Sequence, residues 1–293
     1  MKIVDYKNYG KCALFERNGV QVMVTLDVGP RIIRFGTAEL NFLNEDLDRN
    51  VSNGGDYFDE NFGKGTRWYL YGGHRVWKSP EDWETYTPDN GPVEYEASEY
   101  GGSFVCRAAK RFDYTLEVLL DEKGGLTVKN KIGNKSSAPA ELAVWGLTVA
   151  AKGGTLVLPL NEPADELNPV QNVVYWPYDD LADERLKVGK KYLTLKQTSR
   201  ENAIKVGTFA KKGRAYYILG GKAMKWECLP EKGVYGDFWC NFESYTNNHI
   251  LEVEWLSPLK ELPAGGEVSM TEKWSVVDAE GFDGSAKSLE KFE

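Results

Sequence analysis

Short runs in which apolar and polar residues alternate follow one another along most of the chain. A period of two places successive side chains on opposite faces, which is typical of a half-buried β-strand. Turn residues separate the runs, and Asn18-Gly19 is a dipeptide that favours a two-residue hairpin turn. The pattern predicts strands over residues 13–16, 21–26, 31–35, 93–96, 103–110, 114–120, 126–132, 140–150, 192–196, 204–210, 214–220, 238–245, 249–255 and 268–276.

Helical periodicity is nearly absent from the chain. Only the C-terminal tail shows weak 3.6-residue spacing, which predicts at most a short helical turn there. Residues 45–66 and 161–183 are rich in Gly, Pro, Asn and Asp, and we expect long loops, the second crossing one end of the sheets. Many short strands with frequent turns predict an all-β sandwich or barrel. No composition break marks a linker, so we expect one domain over residues 1–293.

The stretch from residue 72 to residue 90 carries the densest group of chemically useful side chains. Gly72 and Gly73 allow a close backbone approach or a positive φ, and Pro80 and Pro88 interrupt regular structure. We therefore expect a shaped loop that builds a ligand site, although a histidine here could also be a structural, hydrogen-bonded residue. The candidate ligand contacts in this stretch are His74, Arg75, Trp77, Tyr86 and Asp89.

A second informative stretch contains two glutamates on a predicted strand. Glu252 and Glu254 project from one face, because strand side chains alternate. Two like carboxylates on one face raise each other's pKa unless a cation or water intervenes. Periodicity alone favours an exposed, solvated face for both, with the apolar residues between them turned to the core.

Composition and charge exclude several classes of protein. Aromatic residues make up 13% of the chain, and their rings can stack on sugars as well as fill a core. A net charge of −8 disfavours a nucleic-acid partner. No apolar run is long enough for a membrane span, and the first residues lack the apolar segment of a signal peptide. The four cysteines have no metal-type spacing and predict reduced thiols in a cytoplasmic monomer or homodimer without metal or cofactor.

The order of these motifs resembles the galactose mutarotase-like superfamily, the aldose 1-epimerase type of β-supersandwich. The resemblance is narrower to a bacterial branch of that superfamily and extends from about Gly29 to Trp274. It implies an all-β supersandwich with a cleft for a small sugar. The motifs that carry it are Gly29-Pro30-Arg31, Gly72-Gly73-His74-Arg75, Pro88-Asp89-Asn90 and the run 251–258.

The resemblance also implies an activity, the interconversion of sugar anomers by general acid and base catalysis. The anomeric hydroxyl loses a proton while the ring oxygen gains one. The base would be Glu254, with Glu252 as the alternative, and the acid or hydroxyl-positioning group would be His74. The implied substrate-binding residues are Arg31, Arg75, Trp77, Tyr86, Asp89, Trp145, Glu243 and Glu252.

The chain departs from the family pattern at residues 143–147. Mutarotases carry their acid histidine on the corresponding strand, and no histidine is present there. The acid role could then belong to His74, to Tyr86 or to Lys78, or catalysis could be absent. The two leading hypotheses are an aldose 1-epimerase-like enzyme and a non-catalytic sugar-binding or sugar-sensing protein. A lyase or hydrolase-associated role would require a longer groove for a polymer.

Overall fold

Two antiparallel β-sheets packed face to face form the protein, described here from a computed structural model covering residues 1–283 and 286–290. In chain order the strands are β1 (Lys2–Asp5), β2 (Lys11–Arg17), β3 (Val20–Thr25), β4 (Ile32–Gly36), β5 (Ser52–Asn53), β6 (Trp68–Tyr69), β7 (His74–Ser79), β8 (Glu94–Ala97), β9 (Gly101–Cys106), β10 (Phe112–Leu120), β11 (Leu126–Asn134), β12 (Ala140–Val149), β13 (Thr155–Pro159), β14 (Val174–Tyr175), β15 (Leu186–Val188), β16 (Tyr192–Lys196), β17 (Ile204–Thr208), β18 (Arg214–Leu219), β19 (Lys222–Glu227), β20 (Phe242–Thr246), β21 (Leu251–Leu256), β22 (Lys260–Leu262) and β23 (Glu267–Asp278).

Helical structure is confined to short pieces. The helices are α1 (Asp56–Phe62), α2 (Gly236–Trp239) and α3 (Ala286–Leu289), with 3₁₀ turns at Lys7–Tyr9 and Trp83–Tyr86. α2 is a single turn in which residues 237–239 have left-handed backbone angles. None of the helices within the described ranges is long and apolar enough to cross a membrane.

The strands form a sandwich, which confirms the predicted all-β architecture. The first sheet has the order β1-β2-β3-β4-β7-β12-β21-β20-β17-β14, with β22 paired to β12. The second sheet has the order β15-β16-β13-β18-β19-β23-β11-β10-β9-β8, and β5 and β6 form a separate small ladder. The middle of the first sheet, from β7 to β17, carries the candidate site.

Successive side chains of β21 point alternately into the core between the sheets and towards the opposite face of the first sheet. Leu251, Val253 and Trp255 are fully buried in the core between the sheets, among residues from both of them. Glu252 and Glu254 point from the opposite face of the first sheet. Burial of the apolar face stabilises the sandwich at roughly 25 cal/mol per Å² of apolar surface. The polar positions on the other face therefore remain available for a site.

The stretch at residues 72–90 corrects one prediction. Residues 74–79 form strand β7 in the middle of the first sheet rather than a loop. The two glycines do have the predicted role, because both have positive φ and a Cβ on Gly73 would lie 2.3 Å from the carbonyl oxygen of Ile32. The flanking glycines and Pro80 obscured a six-residue strand whose residues are all buried.

Other boundaries also differ from the predictions. The 45–66 loop contains α1 and β5, and the predicted strand 238–245 begins at Phe242 because the residues before it form the left-handed turn α2. The strands that were not predicted are β1, β5, β6, β7, β13, β14, β15, β19 and β22. The helical turn expected near the C-terminus is present as α3.

Candidate active site

A cleft of about 520 Å³ lies on the face of the first sheet that is turned away from the second sheet. Its floor comes from alternate residues of neighbouring strands, since every second side chain of each strand points to this face. Its walls include residues of β5 and β6, Trp176 and Tyr178 after β14, and Ala203 before β17. The lining residues are Val51, Asn53, Trp68, Leu70, Arg75, Trp77, Glu81, Tyr86, Trp145, Leu147, Trp176, Tyr178, Ala203, Lys205, Tyr245, Asn247, Ile250, Glu252 and Glu254.

The buried ammonium group of Lys205 organises one side of the cleft. Its Nζ lies 2.7 Å from Glu243 Oε2 and 3.0 Å from Glu254 Oε2. The Nε1 of Trp145 donates a further hydrogen bond of 3.0 Å to Glu254 Oε2. Register explains the arrangement, because Glu243 and Glu254 are direct partners on β20 and β21 and Lys205 is on the adjoining strand β17.

Aromatic rings surround the same ammonium group. Lys205 Nζ lies 4.9 Å from the ring centre of Trp145 and 4.8 Å from that of Trp176. Ring faces attract a cation within about 6 Å. The pKa of Lys205 is held well above its ordinary value because the attraction of Glu254 and Glu243 exceeds the lowering effect of burial. Lys205 is therefore charged at neutral pH.

A second cation, Arg75, lies on the other side of the carboxylates. Its Nη2 donates to Glu252 Oε1 at 3.3 Å, and its guanidinium lies 4.0 Å from the Trp77 ring centre and 5.5 Å from that of Trp68. Its side chain is buried, and Nε and Nη1 have no hydrogen-bond partner among the described residues. Buried donors without hydrogen-bond partners are costly to the folded protein.

The carboxyl groups differ in how easily they bind a proton. Burial raises the pKa of Glu252 to about 7 despite the attraction of Arg75. Burial also raises the pKa of Glu243, although the nearby Lys205 opposes this rise. Oε1 of Glu254 and Oε1 of Glu243 have no hydrogen-bond partner in the described part of the chain. The cluster therefore combines two carboxyl groups of raised pKa with carboxyl oxygens that have no hydrogen-bond partner among the described residues.

Seven of the sequence-predicted site residues come together here. Arg75, Trp77, Tyr86, Trp145, Glu252 and Glu254 line the cleft, and Glu243 pairs with Lys205 beside it. The predicted common face of Glu252 and Glu254 is confirmed, but the expectation of a solvated face is wrong, since the two side chains are 9% and 0% exposed.

His74 lies elsewhere, which corrects its predicted place in the site. It is fully buried between the sheets, on the face of β7 opposite to Arg75. Its Nδ1 lies 2.8 Å from Thr148 Oγ1 and its Nε2 lies 2.9 Å from Asn130 Oδ1. Burial lowers its pKa to about 3, so the ring is neutral. These contacts support the alternative interpretation, in which His74 is a structural, hydrogen-bonded residue.

Arg31 and Asp89 also lie outside the cleft. Their side chains form a bidentate ion pair. Arg31 Nη1 donates to Asp89 Oδ2 at 2.5 Å, and Arg31 Nη2 donates to Asp89 Oδ1 at 3.2 Å. Both line a separate cavity of about 20 Å³. This pair fixes the Gly29-Pro30 segment to the turn at residue 89 and leaves neither residue positioned to bind a sugar in the main cleft.

Neither alternative proton donor is well suited to that role. Lys78 donates to Asp82 Oδ2 at 2.6 Å and does not line the cleft. Tyr86 lines the cleft, but burial raises the pKa of its hydroxyl far above the ordinary value, and that hydroxyl already donates to Glu81. No group of three or more His, Cys, Asp or Glu side chains within residues 1–283 and 286–290 is arranged to hold a metal ion.

Sequence reasoning missed Lys205, Trp176, Tyr178 and Tyr245. A signal for Lys205 was present, since it is the one charged residue in the apolar run 203–210 and alternation places it opposite Ile204 and Val206. Nothing local indicated that its partners would be glutamates on two later strands. Trp176 and Tyr178 come from the predicted loop 161–183, which contributes to the wall of the cleft.

Comparison with solved structures identifies the fold. A candidate aldose 1-epimerase of Escherichia coli K12 superposes with a TM-score of 0.57 at 10% identity, covering 91% of this chain and 99% of that one. A galactose mutarotase-like protein of Clostridium acetobutylicum gives 0.54 at 13% identity, covering 94% and 98%. A galactose mutarotase-like protein of Lactobacillus casei gives 0.52 at 12% identity, covering 90% and 99%.

The chain therefore has the galactose mutarotase-like β-sandwich fold, as the sequence resemblance implied. No protein-family model and no curated protein sequence matches it.

Proposed function

We propose that the protein is an aldose 1-epimerase-like enzyme that interconverts the anomers of a small sugar. The observation that carries the proposal is the pair Glu252 and Glu254, two carboxyl groups on one face of β21 at the floor of an aromatic cleft. The strand rise places their Cβ atoms roughly 7 Å apart. The names of the fold neighbours support a carbohydrate ligand.

Glu254 is the proposed general base. Lys205 and Trp145 occupy its Oε2, which leaves Oε1 to accept the proton of the anomeric hydroxyl. Because these donors also fix the carboxylate in place, the base is oriented before the sugar binds. Such pre-orientation lowers the cost of reaching the reactive geometry.

Glu252 is the proposed general acid in place of His74. Burial raises the pKa of its carboxyl towards neutrality, which favours the protonated form that an acid needs. A catalytic group is most effective when its pKa lies near the working pH. The protonated carboxyl donates to the ring oxygen as the bond from that oxygen to the anomeric carbon breaks. Rotation of the open-chain aldehyde and closure with the reverse proton transfers then give the other anomer.

The remaining groups would hold the sugar. The unpartnered Nε and Nη1 of Arg75 can donate to sugar hydroxyls, and the rings of Trp77 and Trp145 can cover an apolar sugar face. This arrangement also fits the alternative function, a sugar-binding or sugar-sensing protein, because both glutamates are already paired with cations. A binder needs the stacking and hydroxyl contacts without the proton transfers.

Proton NMR saturation exchange between α and β anomers, over a panel of aldoses, tests the proposal. We expect faster exchange of at least one sugar with protein present. Glu254→Gln should abolish the acceleration and leave sugar affinity nearly unchanged, since the shape is kept and the base is lost. Glu96→Gln, which changes an exposed strand glutamate, is the matched control and should behave as wild type.

The outcomes separate the candidate functions. If the Glu254→Gln variant still accelerates anomer exchange fully and the Glu252→Gln variant does not, the base is Glu252 rather than Glu254. Binding of a sugar with exchange at the spontaneous rate would contradict the enzyme and favour the binder. Neither binding nor exchange for any sugar would contradict both.

A further inference from the structure

We propose that the cleft continues into a second, aromatic groove that holds a further sugar unit, so that the ligand is a reducing di- or oligosaccharide. The inference rests on the proposed carbohydrate function and adds the size of the ligand and a second binding subsite. The groove has a volume of about 640 Å³ and is lined by residues 172–177 and by Asp237 and Phe238 of α2.

Trp176 joins the groove to the cleft, because it lines both. On the cleft side its ring centre lies 4.8 Å from Lys205 Nζ. The ring lies over Gly207, where a Cβ would be 3.2 Å from the ring atom Cη2. Gly207 is two residues beyond Lys205 on β17 and points to the same face, so one indole ring forms the boundary between the two spaces.

The side chains along the groove suit a sugar ring. Tyr175 and Phe238 are 60% and 82% exposed, although large aromatic side chains are usually buried. Asp237, also exposed, adds a carboxylate beside these rings. A pyranose has an apolar face of C–H groups that packs on aromatic rings and hydroxyls at its edge that bond to carboxylates.

The backbone that presents Phe238 is strained. Asp237, Phe238 and Trp239 have φ values of 46°, 55° and 69°, and left-handed backbone angles are unfavourable for residues other than glycine. Burial does not offset this cost at Phe238, because its side chain is largely exposed. The Asn172 side chain supports the turn by donating to the Phe238 carbonyl at 3.1 Å. Strain of this kind persists mainly where it serves a function, and a rim contact to a ligand is such a function.

Anomer exchange at the reducing ends of disaccharides tests the inference. Cellobiose and maltose are compared with glucose, and β-1,4-galactobiose with galactose. We expect kcat/KM for at least one disaccharide to exceed that of its monosaccharide by about tenfold, the gain of one good aromatic contact. Phe238→Ala should remove this advantage and leave the monosaccharide rate unchanged.

Two further variants make the result specific. Trp239→Ala is the matched control, because Trp239 is an exposed aromatic in the same turn that does not line the groove, and it should keep the disaccharide advantage. Phe238→Gly accepts the left-handed backbone without strain, so it tests the contact even if Phe238→Ala folds poorly.

The inference and the proposed function fail in different ways. Acceleration of monosaccharides without any preference for a disaccharide, or a preference that survives Phe238→Ala, would overturn the groove and leave the enzyme proposal intact. If no anomer exchange is accelerated, the enzyme proposal fails, and saturation transfer from protein to disaccharide protons then decides the groove. Saturation transfer that is weaker in Phe238→Ala than in wild type supports the groove as a binding site. Absence of saturation transfer overturns the groove.

Discussion

Lys205 and His74 are both buried basic side chains, yet their surroundings shift their pKa values in opposite directions. Lys205 lies between two carboxylates, which raise its pKa well above the ordinary value. His74 has only neutral hydrogen-bond partners, and burial lowers its pKa to about 3. The buried ion pairs of Lys205 therefore lie at the cleft, whereas the histidine in the core between the sheets is neutral.

A buried carboxyl group completes the polar network around His74. Asn130 Nδ2 donates to Glu272 Oε1 at 2.7 Å, and Trp274 Nε1 donates to Glu272 Oε2 at 2.9 Å. Because the Asn130 amide nitrogen donates to Glu272, the amide oxygen faces His74. This oxygen can only accept a hydrogen bond, so the proton of the neutral imidazole is placed on Nε2. Burial raises the pKa of Glu272 to about 7.

The pKa of Glu272 predicts a pH dependence of stability. A carboxyl whose pKa is raised on folding stabilises the protein fully below its unfolded pKa of about 4.5, and this contribution is lost as the pH rises through about 7. The difference corresponds to about 3 kcal/mol. We measure the free energy of unfolding in urea from pH 4 to pH 9 and expect the difference between wild type and Glu272→Gln to change by a similar amount between pH 4.5 and pH 7, with wild type losing stability relative to the variant. His74, whose pKa is lowered, adds an opposite rise with pH to both profiles, and this rise cancels in the difference.

An exposed glutamate supplies the control for this measurement. Glu261→Gln on β22 should leave the pH profile as in wild type, because its side chain is solvated in both states. A wild-type slope that Glu272→Gln leaves unchanged would contradict the assignment. Glu243 and Glu252 also have raised pKa values, so a residual slope is expected in every variant.

At the scale of elements, strand β12 joins the cleft to the core. Its residues Trp145 and Leu147 face the cleft, and Gly146 between them faces the polar network in the core. A Cβ on Gly146 would lie 2.2 Å from Glu272 Oε1 and 2.7 Å from Asn130 Nδ2. The missing side chain thus makes room for the buried carboxyl group directly behind the site.

Gly146→Ala is expected to destabilise the protein by about 1–3 kcal/mol, the usual range for overpacking a buried site. The comparison is Gly133→Ala on β11, where a Cβ would meet no atom within 4 Å. That change should be neutral or slightly stabilising, because alanine orders more easily in a strand than glycine does. Urea unfolding of both variants measures the difference, and equal stabilities would show that the core relaxes around the added methyl group.

At the scale of the whole molecule, both sheets combine strands from distant parts of the chain. β23 lies between β19 and β11, and β12 lies between β7 and β21. Each of these central strands pairs with at least one strand that lies about 100 or more residues away in the sequence. This topology favours the single domain expected from the sequence.

We therefore predict one cooperative unfolding transition. Urea unfolding followed by tryptophan fluorescence and by far-ultraviolet circular dichroism should give coincident curves. The chain ending at residue 266, which lacks β23, should fail to fold, because the second sheet would lose a central strand. Two separated transitions, or a folded truncated chain, would instead indicate two domains.

The sequence by itself determined most of the longer strands and the two faces of each predicted strand. Alternation predicted that Glu252 and Glu254 share a face opposite to Trp255, and the motif order implied the fold that the comparisons show. Local pattern could do this because side-chain direction in a strand depends only on position along that strand.

The tertiary structure decided which face meets which environment. Strands distant in sequence bring Lys205 to Glu243 and Glu254, turn His74 into the core and pair Arg31 with Asp89. The pKa shifts of Glu243 and Glu252 arise from burial and from charges on other strands. These contacts and charges belong to the packed molecule, because burial and long-range pairing exist only after the sheets have formed.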